Sequence, residues 1–158
     1  MDTRSIIQSQ YLAALEMLKQ VIVLCPAASW DAPGDKEQTW KKAYHALFYT
    51  HLYLQESEKH FQPWEKHRDP ETSEPFSQAE LLEYLAIVQD QVKIQAAKMD
   101  LQAESGFHWL PFNKLELQLY NIRHTQQHIG ELYERLDKYN IELNWVKQQP
   151  AQSITEKE

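Results

Sequence analysis

The chain has 158 residues, enough for one domain with a single hydrophobic core and too few for two domains of ordinary size. Its formal net charge of -7 at pH 7 would repel a phosphate backbone, and no run of lysine and arginine offsets it, so we do not expect nucleic acid as a partner. Apolar and aromatic residues are plentiful, glycine is rare, and no segment alternates valine, isoleucine and threonine, which together favours an all-α fold.

The first predicted helix runs from Thr3 to Cys25, and Pro26 ends it. Its apolar face holds Ile7, Tyr11, Ala14, Leu18, Val21 and Cys25. Cys25 is the only cysteine, so it cannot form an internal disulfide, and its place on this face predicts a packed thiol rather than a reactive one. The longest apolar stretch, 21–25, is far shorter than the roughly 20 residues that cross a bilayer. Because a signal-peptide pattern is also lacking, we expect a cytoplasmic protein.

A second helix is predicted after Pro33-Gly34, with Asp35 as its N-cap and Gln38 three residues later, and it ends near Ser57. Its inward positions are Trp40, His45, Phe48, Tyr49 and Leu52. The segment that follows, 58–76, is long, charged and rich in proline, which is typical of a lid or a spacer. If it folds over the helices, its His60, Trp64 and His67 would roof a pocket; otherwise they are solvated.

Two further helices are predicted in the second half of the chain. The third begins with the capping-box pattern of residues 77–80 and is expected to stop at Gly106. The fourth begins with Asn113 as its cap and Glu116 three residues later, continues through Gly130 and ends near Tyr139. One slowly drifting face of the fourth helix holds Leu117, Tyr120, His124, His128, Leu132 and Leu136. A glycine inside a helix costs about 1 kcal/mol relative to alanine, so we expect Gly130 to permit close packing; alternatively, it leaves room beside the histidines.

Four helices with one apolar face each are buried most simply as a four-helix bundle, here over residues 1–140. Short links predict antiparallel neighbours within the first pair and within the last pair. Residues 141–158 are polar and predict a disordered C-terminal tail. The apolar connector 107–112 is expected to cap one end of the bundle; alternatively, Trp109 and Phe112 form a contact between subunits.

The most informative pair of residues is His124 and His128, which lie four positions apart and therefore project from one helix face. Two imidazoles about one turn apart can bind one metal ion together with a ligand from a facing helix. His45 is the one remaining histidine on an inward face, whereas His51 lies about 120° around the same helix. Three histidines with an open side suit a catalytic metal, because structural zinc sites use four protein ligands. The alternative is that all three are ordinary hydrogen-bonded residues.

The segment from Trp40 to Tyr49, together with the run from Arg123 to Leu132, resembles the DinB-like (DinB/YfiT) superfamily. The resemblance covers about residues 3–138, including the helix order and the long crossover between the second and third helices. It implies an all-α DinB-like four-helix bundle in which three histidines form a metal triad: His45, His124 and His128. The ion implied is divalent, with zinc or nickel favoured and iron a further candidate.

The understood members of that superfamily are thiol-dependent S-transferases and related maleylpyruvate isomerases. By this resemblance we expect a metal-dependent transferase or hydrolase, in which the ion activates a thiol or water for reaction with a small molecule. A low-molecular-weight thiol would be the natural partner, and related bundles often form homodimers. The alternative is a non-catalytic, dimeric binding bundle whose metal is structural or vestigial.

Two residues are candidates for the chemistry beside the ion. Tyr49 lies one turn after His45 on the same face and could reach a metal-bound water or substrate, or be a core residue with a solvated hydroxyl. Arg123 projects about 100° from His124 and could order an anionic substrate group, or form an exposed ion pair. Three glutamates are expected to be solvated or to support ligands rather than bind the ion themselves: Glu56, Glu116 and Glu131.

Overall fold

A computed structural model describes residues 2–32, 37–71 and 73–149. These residues form five α-helices: α1 (Thr3–Leu24), α2 (Ala27–Trp30), α3 (Thr39–Tyr53), α4 (Gln78–Lys98) and α5 (Lys114–Asp137). A 3₁₀ turn, Glu58–His60, lies in the connector between α3 and α4. No strand occurs in the described ranges, so this part of the chain is all-α, as the composition predicted. Within the same ranges, no helix is both long and apolar enough to span a membrane.

The predicted caps of α4 and α5 are confirmed. At α4 the Ser77 side chain accepts a hydrogen bond from the Glu80 backbone, and the Glu80 carboxylate accepts one from the Ser77 backbone. At α5 the Asn113 side chain accepts a hydrogen bond from the Glu116 backbone N–H at 2.9 Å. Each cap satisfies backbone donors that the first helical turn leaves unpaired, which fixes where the helix begins.

Helix α3 is shorter at both ends than the sequence predicted. It begins at Thr39 with Gln38 as its N-cap, and Gln38 makes no side-chain capping bond. The predicted cap, Asp35, lies outside the described residues. The helix ends at Tyr53 rather than near Ser57, and the chain then enters the connector.

The two helix-related roles predicted for glycine are wrong. Helix α4 ends at Lys98, because Met99 already adopts an extended conformation, and Gly106 therefore does not stop it. Gly106 instead has a φ of 85°, and a Cβ there would lie 2.1 Å from the Glu56 carbonyl oxygen. Gly130 permits no close packing with the described residues, since a Cβ there would meet none of their atoms within 4 Å.

The pairing of the long helices differs from the one expected from connector length. Helix α1 packs chiefly against α4 and α5, and α3 packs chiefly against α5 and α4, whereas α1 and α3 barely touch. Gln78 at the start of α4 donates hydrogen bonds to carbonyls at the end of α1, so these two helices run in opposite directions. The rings of Trp40 and Phe76 lie 6.0 Å apart at the starts of α3 and α4, so α3 and α4 run in the same direction. Residues 54–77 must therefore return along the length of the helices.

The core combines an apolar interior with a buried polar layer between α1, α3 and α5. The Tyr11 hydroxyl donates to Gln118 Oε1 at 2.7 Å and accepts from Asn121 Nδ2 at 2.9 Å. Thr125 is also fully buried. The most deeply buried face of α5 therefore includes Gln118, Asn121 and Thr125. His124 and His128, which were predicted to lie on the inward face, are half-buried at its edge. Cys25 is buried, and burial raises the pKa of its thiol, as expected for a packed residue.

The connector between α4 and α5 covers one end of the helices. Phe107 is buried with Leu52, Tyr53 and Leu117, and the partly buried Leu110 and Phe112 pack beside them. Trp109 remains 41% exposed, although its indole N–H donates to the Tyr53 hydroxyl at 3.3 Å. Phe107, Leu110 and Phe112 therefore cap this end of the helices, as predicted for the segment.

Lys114, the first residue of α5, is buried beneath that connector. Its ammonium donates to the carbonyl oxygens of Gln55 at 2.8 Å, Glu56 at 2.7 Å and Ser105 at 2.5 Å. Burial lowers the pKa of Lys114 to about 8. The side chain thus ties the end of α3 to the start of α5.

Residues 141–149 form neither helix nor strand, and they lie along α1. Gln20 makes two hydrogen bonds to the backbone of Asn144, and Gln10 donates to the carbonyl of Lys147 at 3.2 Å. Three partly buried side chains of this segment pack against the core: Ile141, Leu143 and Val146. The remainder of the predicted tail, 150–158, lies outside the described residues.

Candidate metal centre

Three imidazole nitrogens meet between α3 and α5. His124 Nε2 lies 3.3 Å from His45 Nε2 and 3.0 Å from His128 Nε2. The candidate ligand atoms of all three residues lie within 4.8 Å of one another, and the three side chains are half-buried. Two nitrogens that bind one tetrahedral zinc ion, each about 2.0–2.1 Å away, lie about 3.3 Å apart. The structure thus brings the three predicted histidines together at a spacing that fits a metal ion.

The register between α3 and α5 is set by hydrogen bonds that flank the histidines. Thr50 and Thr125 share a hydrogen bond of 2.9 Å in the core. Further along, Gln118 Nε2 donates to the Tyr53 carbonyl at 3.0 Å. Rising residue numbers on α3 match falling numbers on α5, so the helices are antiparallel. This register places His45 opposite the pair of histidines on α5.

A carboxylate holds the outer nitrogen of one histidine. Glu131 Oε2 lies 3.1 Å from His128 Nδ1. The same oxygen accepts a hydrogen bond from Lys42 Nζ, which also lies 3.1 Å from Glu37 Oε2. Burial opposes ionisation of Glu131, but the hydrogen bonds from Lys42 and His128 lower its pKa to about 2. The carboxylate is therefore charged at neutral pH and can only accept.

The surroundings keep the other two imidazoles neutral. Burial and the neighbouring histidines lower the pKa of His124 to about 4, and burial is also the main cause that lowers the pKa of His45. The Tyr120 ring stacks on His124, with an interplanar angle of 2°. Neutral imidazoles are the form that binds metal ions, so no proton has to leave these two residues near pH 7.

The structure brings Tyr49 to the histidines but not Arg123. The Tyr49 ring lies 4.6 Å from the His45 ring and 5.7 Å from the His124 ring, measured between centroids. Arg123 is exposed, and its guanidinium carbon lies 6.0 Å from the centroid of the Tyr120 ring. Tyr49 is therefore the better placed of the two residues to contact a molecule bound beside the ion.

A cleft of about 290 Å³ opens beside His45. One wall consists of aromatic side chains from α3, namely Tyr44, Phe48 and Tyr49, and the opposite wall comes from residues 67–71 of the connector. His67 Nδ1 forms a hydrogen bond with the Tyr44 hydroxyl, and Lys41 Nζ lies 3.1 Å from Glu71 Oε2. These contacts fasten the connector along the cleft.

The three connector residues predicted as a possible roof have different positions. His67 lines the cleft. Trp64 is buried in the core, where its ring stacks on Tyr84 with centroids 4.7 Å apart. His60 is exposed and forms a hydrogen bond of 2.7 Å with Ser57. Only His67 of the three therefore lies next to the candidate site.

Sequence reasoning missed Lys42. It lies three residues before His45 on α3, and Glu131 lies three residues after His128 on α5. That spacing places each residue beside a histidine on its own helix. On each helix a charged residue lies one turn from a candidate ligand, and the two charges have opposite signs. This pattern could have indicated the ion pair between Lys42 and Glu131.

No protein-family model matches the chain, and neither a curated protein nor a solved structure is significantly similar to it. The resemblance to the DinB-like superfamily therefore rests on the two sequence segments that carry it. The geometry of the three histidines is independent of that resemblance.

Proposed function

We propose that the protein is a DinB-like four-helix bundle that binds one divalent metal ion at His45, His124 and His128. The single observation that carries the proposal is the convergence of three Nε2 atoms from two helices, with separations of 3.0 and 3.3 Å. The parallel arrangement of α3 and α4, which requires a long return connector, supports the crossover expected for this type of bundle.

We further propose that the centre serves a metal-dependent transferase or hydrolase for a small molecule. All three protein ligands come from α3 and α5, and His45 borders an open cleft, so the arrangement leaves room for a fourth ligand from outside. When bound, a zinc, nickel or iron ion at such a site lowers the pKa of a coordinated water or thiol. A low-molecular-weight thiol is the partner that the proposal favours.

The residues around the cleft would position the small molecule. Tyr44, Phe48 and Tyr49 offer aromatic surfaces to its apolar part, and Tyr49 also contacts the ring of His45. Glu131 Oε2 lies 3.1 Å from the outer nitrogen of His128. Arg123 has no role in this proposal, because it is exposed over Tyr120 and does not border the cleft.

A structural role for the metal is the less favoured alternative. The main core consists mainly of buried apolar side chains from α1, α3, α4 and α5, whereas the three histidines are only half-buried. Removal of the ion should therefore leave the helices packed, unlike in small domains whose folding depends on zinc. Unfolding of the protein on chelation would favour the structural role instead.

The first experiment is elemental analysis of untagged protein purified without a chelator. We expect about one zinc, nickel or iron ion per chain, and loss of that ion in His124→Ala and His128→Ala without loss of helicity. His60→Ala is the matched control, since this exposed histidine lies away from the cleft. Protein that contains no such ion and takes up none on titration would overturn the proposal.

The second experiment tests for the open coordination side. The metal-free protein would be loaded with Co²⁺, whose visible absorption reports its ligands. Addition of a small thiol should change the Co²⁺ spectrum of the wild type. The His124→Ala variant should give no such spectrum, with or without the thiol. A spectrum that never responds to thiols or small anions would indicate a closed, structural site.

A further inference from the structure

We infer that Glu131 is a positioning residue for the proposed metal centre, and that Lys42 holds Glu131 in place. This inference rests on the proposed function. Glu131 would act through His128, by keeping the imidazole proton on Nδ1 so that the lone pair of Nε2 points to the ion.

The first step concerns which nitrogen of His128 carries the proton. A neutral imidazole has one N–H and one acceptor nitrogen, and a carboxylate can only accept. Because Glu131 Oε2 lies 3.1 Å from Nδ1 of His128, the proton belongs on Nδ1. Nε2 then has a free lone pair, and this is the nitrogen that lies 3.0 Å from His124 Nε2. A carboxylate behind a ligating histidine fixes both its tautomer and its ring orientation.

The second step concerns what holds the carboxylate. Lys42 donates to the same Oε2 atom, and its side chain is only 12% exposed. It also contacts Glu37 Oε2 at 3.1 Å, so its charge has a partner on α5 and another at the start of α3. Lys42 and His45 both belong to α3, whereas Glu131 and His128 both belong to α5. The ion pair therefore joins the two helices that supply the ligands.

The third step is that this support is specific to one ligand. Nδ1 of His124 is buried and has no hydrogen-bond partner in the described part of the chain. Among the described residues, no carboxylate therefore fixes His124 in the way that Glu131 fixes His128. Removal of Glu131 should weaken metal binding through His128, while the other two imidazoles keep their positions.

The test compares metal affinity, measured by competition with a chromogenic chelator for Zn²⁺, in matched variants. We expect Glu131→Ala to bind Zn²⁺ about 10- to 100-fold more weakly than the wild type. Glu131→Gln should lose less, because its amide oxygen can still accept from Nδ1. Lys42→Met should also lose less than Glu131→Ala, since the carboxylate remains. Glu134→Ala removes an exposed carboxylate from the same helix and should change nothing.

A second readout separates positioning from a general structural role. In the metal-free protein, ¹⁵N NMR of the histidine rings should show His128 as the Nδ1–H tautomer in the wild type and in Glu131→Gln. In Glu131→Ala that preference should be lost. Equal Zn²⁺ affinity in the wild type and Glu131→Ala, or an unchanged tautomer, would overturn the inference.

The two proposals fail in distinguishable ways. A wild type that binds no metal overturns the proposed function, and the NMR measurement then still decides whether Glu131 fixes His128. A wild type that binds metal as tightly as Glu131→Ala overturns only the role of Glu131. If Glu131→Ala loses helicity, Glu131→Gln and Lys42→Met decide. Zn²⁺ binding weaker than that of the wild type in both would support the inference, and wild-type affinity in both would overturn it.

Discussion

Thr50 on α3 and Thr125 on α5 share a hydrogen bond of 2.9 Å inside the core, one position along the chain from Tyr49 and His124. The Thr50 hydroxyl also donates to the Ala46 carbonyl at 2.7 Å. Thr125 must therefore be the donor in the bond between the two threonines. This contact fixes the register of the two helices that carry the histidines.

We predict that Thr125→Val lowers the free energy of unfolding by about 1 kcal/mol, the ordinary net value of one hydrogen bond. Valine keeps the shape of threonine, and Thr50 still has its bond to Ala46. Urea unfolding followed by circular dichroism measures the change. The double variant with Thr50→Val should cost less than the sum of the single changes, because removing both partners leaves no unpaired group. Strictly additive costs would contradict a direct hydrogen bond.

The buried ammonium of Lys114 holds the end of α3 through hydrogen bonds to the carbonyl oxygens of Gln55 and Glu56. We predict that Lys114→Met destabilises the protein by about 3 kcal/mol, because three carbonyl oxygens, one in a buried contact and two in part-buried contacts, lose their donor. Thermal and urea unfolding would show this cost. Lys98→Met, a change to an exposed lysine at the end of α4, is the control and should have little effect. Equal stabilities for the two variants would show that water replaces the ammonium at no cost.

The sequence was most informative where a local rule decides the structure. The caps at Ser77 and Asn113 follow from contacts within a single turn, and both were predicted correctly. The helix pairing could not be predicted in the same way, because connector length says only that two helix ends are near each other. Packing of α1 on α4 depends on which faces fit together over the whole length, and no local pattern reveals that.

At the candidate site, too, local features could be predicted from the sequence, whereas features that depend on distant contacts could not. The spacing of His124 and His128 is a local signal, and the helix face that His45 shares with apolar residues predicts its inward position. The buried face of α5 differs from the predicted one, because Asn121 and Thr125 are typical surface residues unless they have partners such as those on α1 and α3. Polar residues are buried at low cost only when such partners exist, and those partners lie far away in the sequence.

His51 should make stability depend on pH. It is buried next to Tyr84, and burial lowers the pKa of His51 from 6.5 to about 4. Between pH 6.5 and pH 4 the unfolded chain binds a proton that the folded protein does not. The contribution of His51 to the free energy of unfolding is therefore fully present above pH 6.5. About 3 kcal/mol of this contribution is lost as the pH falls to 4.

The measurement is the free energy of unfolding of metal-free protein from pH 4 to pH 7. His51→Gln cannot titrate, so its stability should fall less steeply with acid than that of the wild type. The comparison between the two isolates His51 from the other histidines, which both proteins retain. Identical pH dependence would mean that His51 is protonated as easily in the folded protein as in the unfolded chain.

Metal removal should lower stability without unfolding the helices. Binding to the folded protein alone adds about 2.7 kcal/mol when the free ion is at 100 times its dissociation constant. We therefore expect EDTA to lower the unfolding temperature of the metal-loaded wild type and to leave its far-ultraviolet spectrum unchanged at 20 °C. The His128→Ala variant should show no such shift. A loss of helicity on chelation would instead assign the ion a structural role.

Gly130 lies on α5 between His128 and Glu131, is exposed, and has open space where a side chain would project. We predict that Gly130→Ala raises the free energy of unfolding by about 0.5–1 kcal/mol, because alanine restricts the unfolded chain and its Cβ meets no atom of the described residues. Zn²⁺ affinity should not change. Urea unfolding and the chelator competition measure the two quantities. A destabilised variant would show that the space beside Gly130 is filled by another part of the protein, and weakened Zn²⁺ binding would place that part next to the histidines.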